Sequence, residues 1–375
     1  MALLLLVMCG GIVPIGLAGC ADGIIRVFRS APGAGGSSGT GGTVLLDAGP
    51  PDLTSVPDAT PDTAPIICPT KLVGYATLGA MGTTGGGVSA DAGMMTATTL
   101  DQLRTYANLV GPAVIRVSGT IRLDAGEMPI EVESDKTLLA ARSGDGLEGN
   151  GFIIKDKHNV IVRNLTITRA LAPWDAITIQ ASSNVWIDHC DLSSDRNIMP
   201  KGTYDGLIDI THGSYNVTVS WTYFHDHYNP SLVGHTDTVN TEDLALAVTF
   251  HHNWFQNIQS GAPRARFGHV HLFSNFYDNI DSYSIASVMG ATLLIEGNVF
   301  YRVATPIVTR LPDATDGTVA DRRNLFDSTD GANMITTVQN TWSPPYQYTD
   351  SVDPTDGARG ARAMVSTCAG VGKVP

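Results

Sequence analysis

The stretch NVWIDHCDL, residues 184–192, has two near copies: NVIVRNLTI at 159–167 and NVTVSWTYF at 216–224. In each, an asparagine opens an apolar strand, a short polar break follows, and a second apolar pair closes the unit. VTFHHNWF (248–255), VHLFSNFY (270–277) and LLIEGNVF (293–300) continue the series, and TLLAARSG (137–144) and VIRVSGTI (114–121) extend it backward. The units start at 114, 137, 160, 185, 217, 248, 270 and 293, with steps of 22 or 23 and longer steps of 25, 32 and 31. A whole-unit period of this size marks a solenoid, whose turns bury their inward side chains against the turns above and below. A β-sandwich places strands about every 8–12 residues but has no whole-unit repeat. The expected fold is all-β: a right-handed parallel β-helix with adjacent strands roughly 4.8 Å apart. The recurring asparagines suit turns that need left-handed backbone, and their side chains can stack between turns. The longer steps mark loops, which on a solenoid build the binding face.

Upstream of the repeats, TTLDQLRTYANLVG (98–111) has helical apolar spacing. Thr99 with Gln102 forms a capping-box signature, so a helix over 99–109 is expected to cap the solenoid. The chain carries 36 acidic and 23 basic side chains, a net charge of -13. That balance argues against a nucleic-acid partner, which usually meets a basic surface. An anionic partner needs a local cationic spot or a bound metal to overcome such a field.

Residues 1–19 read as a signal peptide of lipoprotein type, because LAGC at 17–20 resembles a bacterial lipobox whose Cys20 becomes lipidated. Ordinary secretion and a membrane helix are the alternatives. Residues 20–67 read as a disordered Gly/Ser/Pro-rich tether, and 68–375 as the β-helix domain. Of five cysteines, Cys9 falls in the signal and Cys20 at the anchor, and Cys190 sits in an apolar strand as a buried thiol. Cys68 and Cys368 bracket the folded region, where a disulfide between them is expected in an exported protein.

Two stretches, WDAITI (174–179) and DGLIDI (205–210), align at a step of 31. In that alignment Asp209 points outward beside Thr178, and Asp175 and Asp205 fall just before their strands. Asp205 and Asp209 would sit roughly 13 Å apart on a straight strand, so a bend at Gly206 is expected to bring them together. Three converging carboxylates suit calcium, which takes several oxygen ligands in irregular geometry. Separate solvated turn aspartates are the alternative. PRARF (263–267) would then lie two rungs beyond, with Arg264 and Arg266 on one face. Guanidinium forks bind carboxylates, so a groove lined by both features suits a polymer with an acid on every unit. Ion pairs with nearby aspartates are the plainer reading. His251, His252, His269 and His271 fall within repeated strands and are expected to stack between rungs rather than bind zinc.

NVWIDHCDLS, DGLIDITHGSYNVTVSWTYFHDH, VTFHHNWFQNI and PRARFGHVHLFSNFY, with GYATLGAMGTTGGG at the domain start, resemble the pectate lyases of polysaccharide lyase family one. The resemblance runs over roughly residues 72–373. It implies calcium ligands at Asp175, Asp205 and Asp209, and β-elimination from polygalacturonate or a related uronan. In the family calcium acidifies the C5 proton of the uronate, an arginine removes it, and the glycosidic oxygen leaves from C4. The family pattern R-A-P-R-x-R here reads Gly261, Ala262, Pro263, Arg264, Ala265, Arg266, so the position of the proton-removing arginine has no side chain. Asn229 stands where the family often has a substrate-holding lysine. The resemblance leaves Arg264 and Arg266 as catalytic and substrate-binding candidates, with Asn229 at a substrate position. The expected protein is a monomeric enzyme, secreted or at the cell surface, and the lipobox reading makes it an outer-membrane-anchored lipoprotein that meets the membrane only through its lipid. The alternative is a catalytically impaired surface lipoprotein that binds acidic polysaccharide.

Overall fold

The structure, a computed structural model, describes residues 67–87, 94–329, 331–338, 341–348 and 358–374. The expected signal peptide, the Cys20 anchor and the tether up to residue 66 lie outside the described residues. Within them no helix is long and apolar enough to cross a membrane.

Every pairing between named strands is parallel. One ten-stranded sheet runs through Ser183–Asp188, Tyr215–Ser220, Ala247–His251, His269–Phe273 and Thr292–Glu296. These are the repeats read from the sequence, in register: Val185 lies beside Val217, Val217 beside Val248, and Val248 beside Val270. Two further ladders follow around each turn and share the long strand Phe276–Val288. One of them carries Ile177–Gln180, Ile208–Thr211, Ser231–Val233 and Arg264–Arg266 in that order. The chain is thus a parallel β-helix, as the repeat predicts.

Stacking of like on like fills the interior. Phe224, Phe255, Tyr277, Phe300 and Phe326 form one column with ring centroids 4.7–5.2 Å apart. The asparagines divide into two sets. Asn159, Asn184 and Asn216 adopt left-handed backbone, with φ of 59, 52 and 55°. Asn253, Asn275, Asn298 and Asn324 form a ladder, each amide donating to the next side-chain oxygen at 2.9–3.0 Å. Buried amide groups are thereby paired from rung to rung, which removes the cost of desolvating them.

The first helix is Leu100–Ala107. Thr99 Oγ1 accepts from Gln102 N–H at 3.3 Å, but Gln102 Oε1 reaches Thr98 N–H, at 2.9 Å, rather than closing the box on Thr99. Leu103 and Ala107 are buried at the end of the core. A second helix, Ala358–Cys368, was not expected; its Ala361 and Val365 pack with Phe276 and Val299. Cys368 is bonded to Cys68, closing a separation of 300 residues. Cys190 is a buried free thiol, which burial pushes up to about 12.

The histidines stack as expected. His252 lies 4.2 Å from the Trp221 ring, and His251 lies 4.9 Å from Phe273. Burial lowers His252 from the ordinary 6.5 to about 3 and His227 to about 4. These imidazoles stay neutral in the fold while the unfolded chain protonates them. Their contribution is therefore complete above pH ~6.5 and is lost as pH falls toward ~3. In chemical denaturation at pH 7.5 and pH 5, the wild type should lose more stability than His252→Asn, by about 1.4 kcal/mol per pH unit below 6.5. Asparagine tolerates the left-handed φ of 54° at this position. Equal slopes in the two proteins would contradict a neutral His252.

Candidate active site

Register on one ladder assembles the site. Thr178 lies beside Asp209, Asp209 beside Leu232, and Leu232 beside Arg264. Their strand neighbours Ile177, Ile179, Ile208, Ile210, Val233 and Ala265 are buried. Strand alternation therefore turns this column outward.

Asp175 precedes its strand by two residues and is nearly buried. Its oxygens accept from Gly206 N–H at 3.0 Å and from the Thr178 hydroxyl at 2.7 Å. Asp209 is half-buried and accepts from Leu232 N–H at 3.0 Å. Gly206 acts differently from the expected bend. Its backbone is not left-handed, but a Cβ there would stand 2.7 Å from an oxygen of Asp175 and 2.7 Å from one of Asp209. Glycine gives clearance for two carboxylates to approach one backbone position. Asp205 is exposed, and its charge acts on both partners.

Burial lifts Asp175 to about 6, against the Thr178 hydrogen bond, and the Asp205 charge adds to the rise. Burial first, and the Asp175 charge second, raise Asp209 well above the ordinary carboxylate range. Hard oxygen donors held in mutual repulsion fit a hard divalent cation, whose charge favours their ionised forms. Their oxygens do not all close to within 4.8 Å of one another. Among the described residues His212, His235 and Glu242 do so, but those two imidazoles stack at 4.0 Å with planes 10° apart. Their in-plane lone pairs run parallel rather than converge, unlike the tetrahedral arrangement of zinc sites.

Arg264 and Arg266 share the outward face, as expected, and both are occupied. Asp237 accepts from Arg264 Nη2 at 2.7 Å and from Arg266 Nε and Nη2 at 2.8 and 3.2 Å. Arg266 Nη1 also donates to the Gly234 carbonyl at 2.9 Å. The Arg266 guanidinium holds the Asp237 carboxyl below the usual range. The ion-pair reading of the arginines therefore holds in this structure. Asp237 escaped the sequence reading because it sits in the long segment between Ser231–Val233 and Ala247–His251, outside the repeat. Asn229 accepts from the Ser260 hydroxyl at 2.8 Å. Gly261 has φ 71°, and the nearest atom to a Cβ there would be Arg264 Cβ, at 3.6 Å.

Asp205, Asp209, Asn229, Gly261, Arg264 and Arg266 line one cavity of about 410 Å³. Lys201, Tyr228 and Gln259 line it too, and the sequence reading named none of them. Asp175 stands behind Gly206 rather than on the cavity wall.

Comparison with known proteins agrees with this architecture. A family model described as pectate lyase matches residues 62–374. Pectate lyase B of Colletotrichum gloeosporioides is 43% identical over 239 residues, spanning 63% of this chain and 70% of that protein. Pectate lyase plyB of Emericella nidulans is 42% identical over 260 residues, spanning 69% and 76%. The crystal structure of a pectate lyase from Bacillus sp. N165 in complex with trigalacturonate superposes with a TM-score of 0.69. It is 28% identical and covers 81% of this chain and 100% of that one.

The arginine pair generates one prediction about stability. Asp237→Ala strips the carboxylate from two guanidiniums, one of them nearly buried, and should lower stability by about 1–3 kcal/mol in urea unfolding. An unchanged midpoint would mean that the loop holding Asp237 does not dock on the arginines in solution.

Proposed function

Because the chain belongs to the pectate lyase family, a family of polysaccharide lyases, we propose that it cleaves polygalacturonate or a related uronan by calcium-dependent β-elimination. The proposed setting is extracellular, with Cys20 as the site of a lipid anchor. One observation carries the reading: a single outward column beside one cavity presents the Asp209 carboxylate and, two rungs on, the Arg264 guanidinium.

Asp175, Asp205 and Asp209 are the residues that would hold calcium, with Gly206 leaving room for the first and third. Bound there, the ion would neutralise a uronate carboxylate and acidify the adjacent C5 proton. Thr178 and the amides of Gly206 and Leu232 orient the carboxylate ligands through their hydrogen bonds. Arg264 and Arg266 present donors toward the same groove, where Asp237 marks a place for a carboxylate between them.

The proton-removal step is the weak point. Gly261 occupies the position where the family resemblance places the base, and Asn229 the position of a substrate lysine. Arg264 donates to Asp237, so as a base it would first have to release that partner. A missing general base costs about 10²–10⁴ in rate. The proposed enzyme therefore binds its substrate well and turns it over slowly. The bare Gly261 also favours the second reading, a surface protein that binds acidic polysaccharide without cleaving it.

Ultraviolet absorbance of unsaturated uronate separates the two. Native protein should form product slowly on polygalacturonate, and a chelator or Asp209→Asn should abolish it. Gly261→Arg should raise the rate about tenfold or more, out of the ~10²–10⁴ a base supplies. Its left-handed φ costs an arginine about 1–2 kcal/mol of stability. If neither native protein nor Gly261→Arg forms product, while both bind a uronan, the binding-protein reading replaces the lyase. Calcium-independent binding would remove the metal from either reading.

A further inference from the structure

We propose that Lys201 supplies the groove with its free substrate-binding cation, taking the carboxylate of a uronate unit at the Gly261 side of the cavity. The inference rests on the uronan reading above. Three cationic side chains line the cavity: Lys201, Arg264 and Arg266. Asp237 is paired with both arginines. Among the described residues, Lys201 makes no ion pair. Its Nζ donates to Gln259 Oε1 at 3.2 Å and lies 5.0 Å from the centre of the Tyr228 ring. An ammonium has three donors, so two of its hydrogens remain for a ligand.

The position of Lys201 is built rather than accidental. It opens the short 3-10 turn Lys201–Thr203, inside the longer step between Asp191–Ser193 and Ile208–Thr211. That turn is tied to the preceding rung at its C-terminal end. Ala172 N–H donates to the Thr203 carbonyl at 3.1 Å, Asp205 N–H donates to the Ala170 carbonyl at 3.4 Å, and Leu171 and Tyr204 form an antiparallel bridge. The same insert thus delivers Lys201 and then Asp205. Gln259, which holds the ammonium, is two residues before the bare Gly261. Lys201 and Gly261 therefore line the same cavity, with Gln259 between them in contact with the ammonium. Its contacts there are one neutral hydrogen bond and an exposed cation–π contact, so a carboxylate displaces them readily. An ammonium is a point charge that needs no fork geometry, which suits a site where the matching wall is glycine.

Lys201 is exposed, so its replacement leaves the fold intact, and an unchanged melting temperature checks this. Calorimetric titration with trigalacturonate in calcium should show Lys201→Ala weakened about tenfold or more, and Lys201→Arg close to wild type. Fully methyl-esterified trigalacturonate, which has no charge to meet, should bind wild type and Lys201→Ala alike. If Lys201→Ala binds trigalacturonate as wild type does, or loses both ligands equally, the assignment of Lys201 is overturned while the uronan reading stands. If wild type binds no trigalacturonate, both fall together.

Discussion

Parallel register between successive turns is the constraint on which the molecule rests. Each residue on a rung sits beside its counterpart about 4.8 Å away, so whatever chemistry one rung presents, the next must match or complement. Inward, the match is like with like: Phe224, Phe255, Tyr277 and Phe300 stack, and Asn253, Asn275 and Asn298 pass hydrogen bonds along a line. Outward, register sets Thr178, Asp209, Leu232 and Arg264 in one column. The groove is a consequence of the same spacing that builds the core.

Like charges cannot stack as aromatic rings do. Asp175 and Asp209 approach one backbone position from two rungs, and their carboxyls are held above the ordinary range by burial and by neighbouring charge. A divalent cation held between them would relieve that stress. The arginine side of the groove has the opposite problem, and Asp237 answers it from within the chain. In a protein of net charge -13, local arrangement rather than overall field decides where an acidic polymer can settle. Among the described residues that line the groove, the cation left without an ion-pair partner is Lys201.

What the sequence made legible follows from periodicity. The repeats at 185, 217, 248 and 270 pair in the structure as aligned, and the 31-residue step between WDAITI and DGLIDI appears as Ile177 beside Ile208. Outward Asp209 and paired Arg264 and Arg266 follow from the same arithmetic. Residues in the inserts carry no period. Asp237 meets the arginines from 27 and 29 residues away, and Lys201 meets Gln259 across 58. Such contacts depend on the path of a loop, which spacing does not encode. The helix Ala358–Cys368 was missed for a related reason: its apolar stripe is short, and it is tied down by Cys68 from the other end of the domain. At Gly206 the spacing points to a bend, whereas the two aspartates require clearance.

The central claim is that one column of this β-helix joins a carboxylate metal site to a cationic grip on uronate. Slow turnover would allow the native protein to be crystallised with calcium and trigalacturonate together. The account predicts one calcium among Asp175, Asp205 and Asp209, with a uronate carboxylate reaching it and a second carboxylate near Lys201 and Gly261. An oligosaccharide bound on another face, or bound in this groove with no ion at the three aspartates, would contradict it.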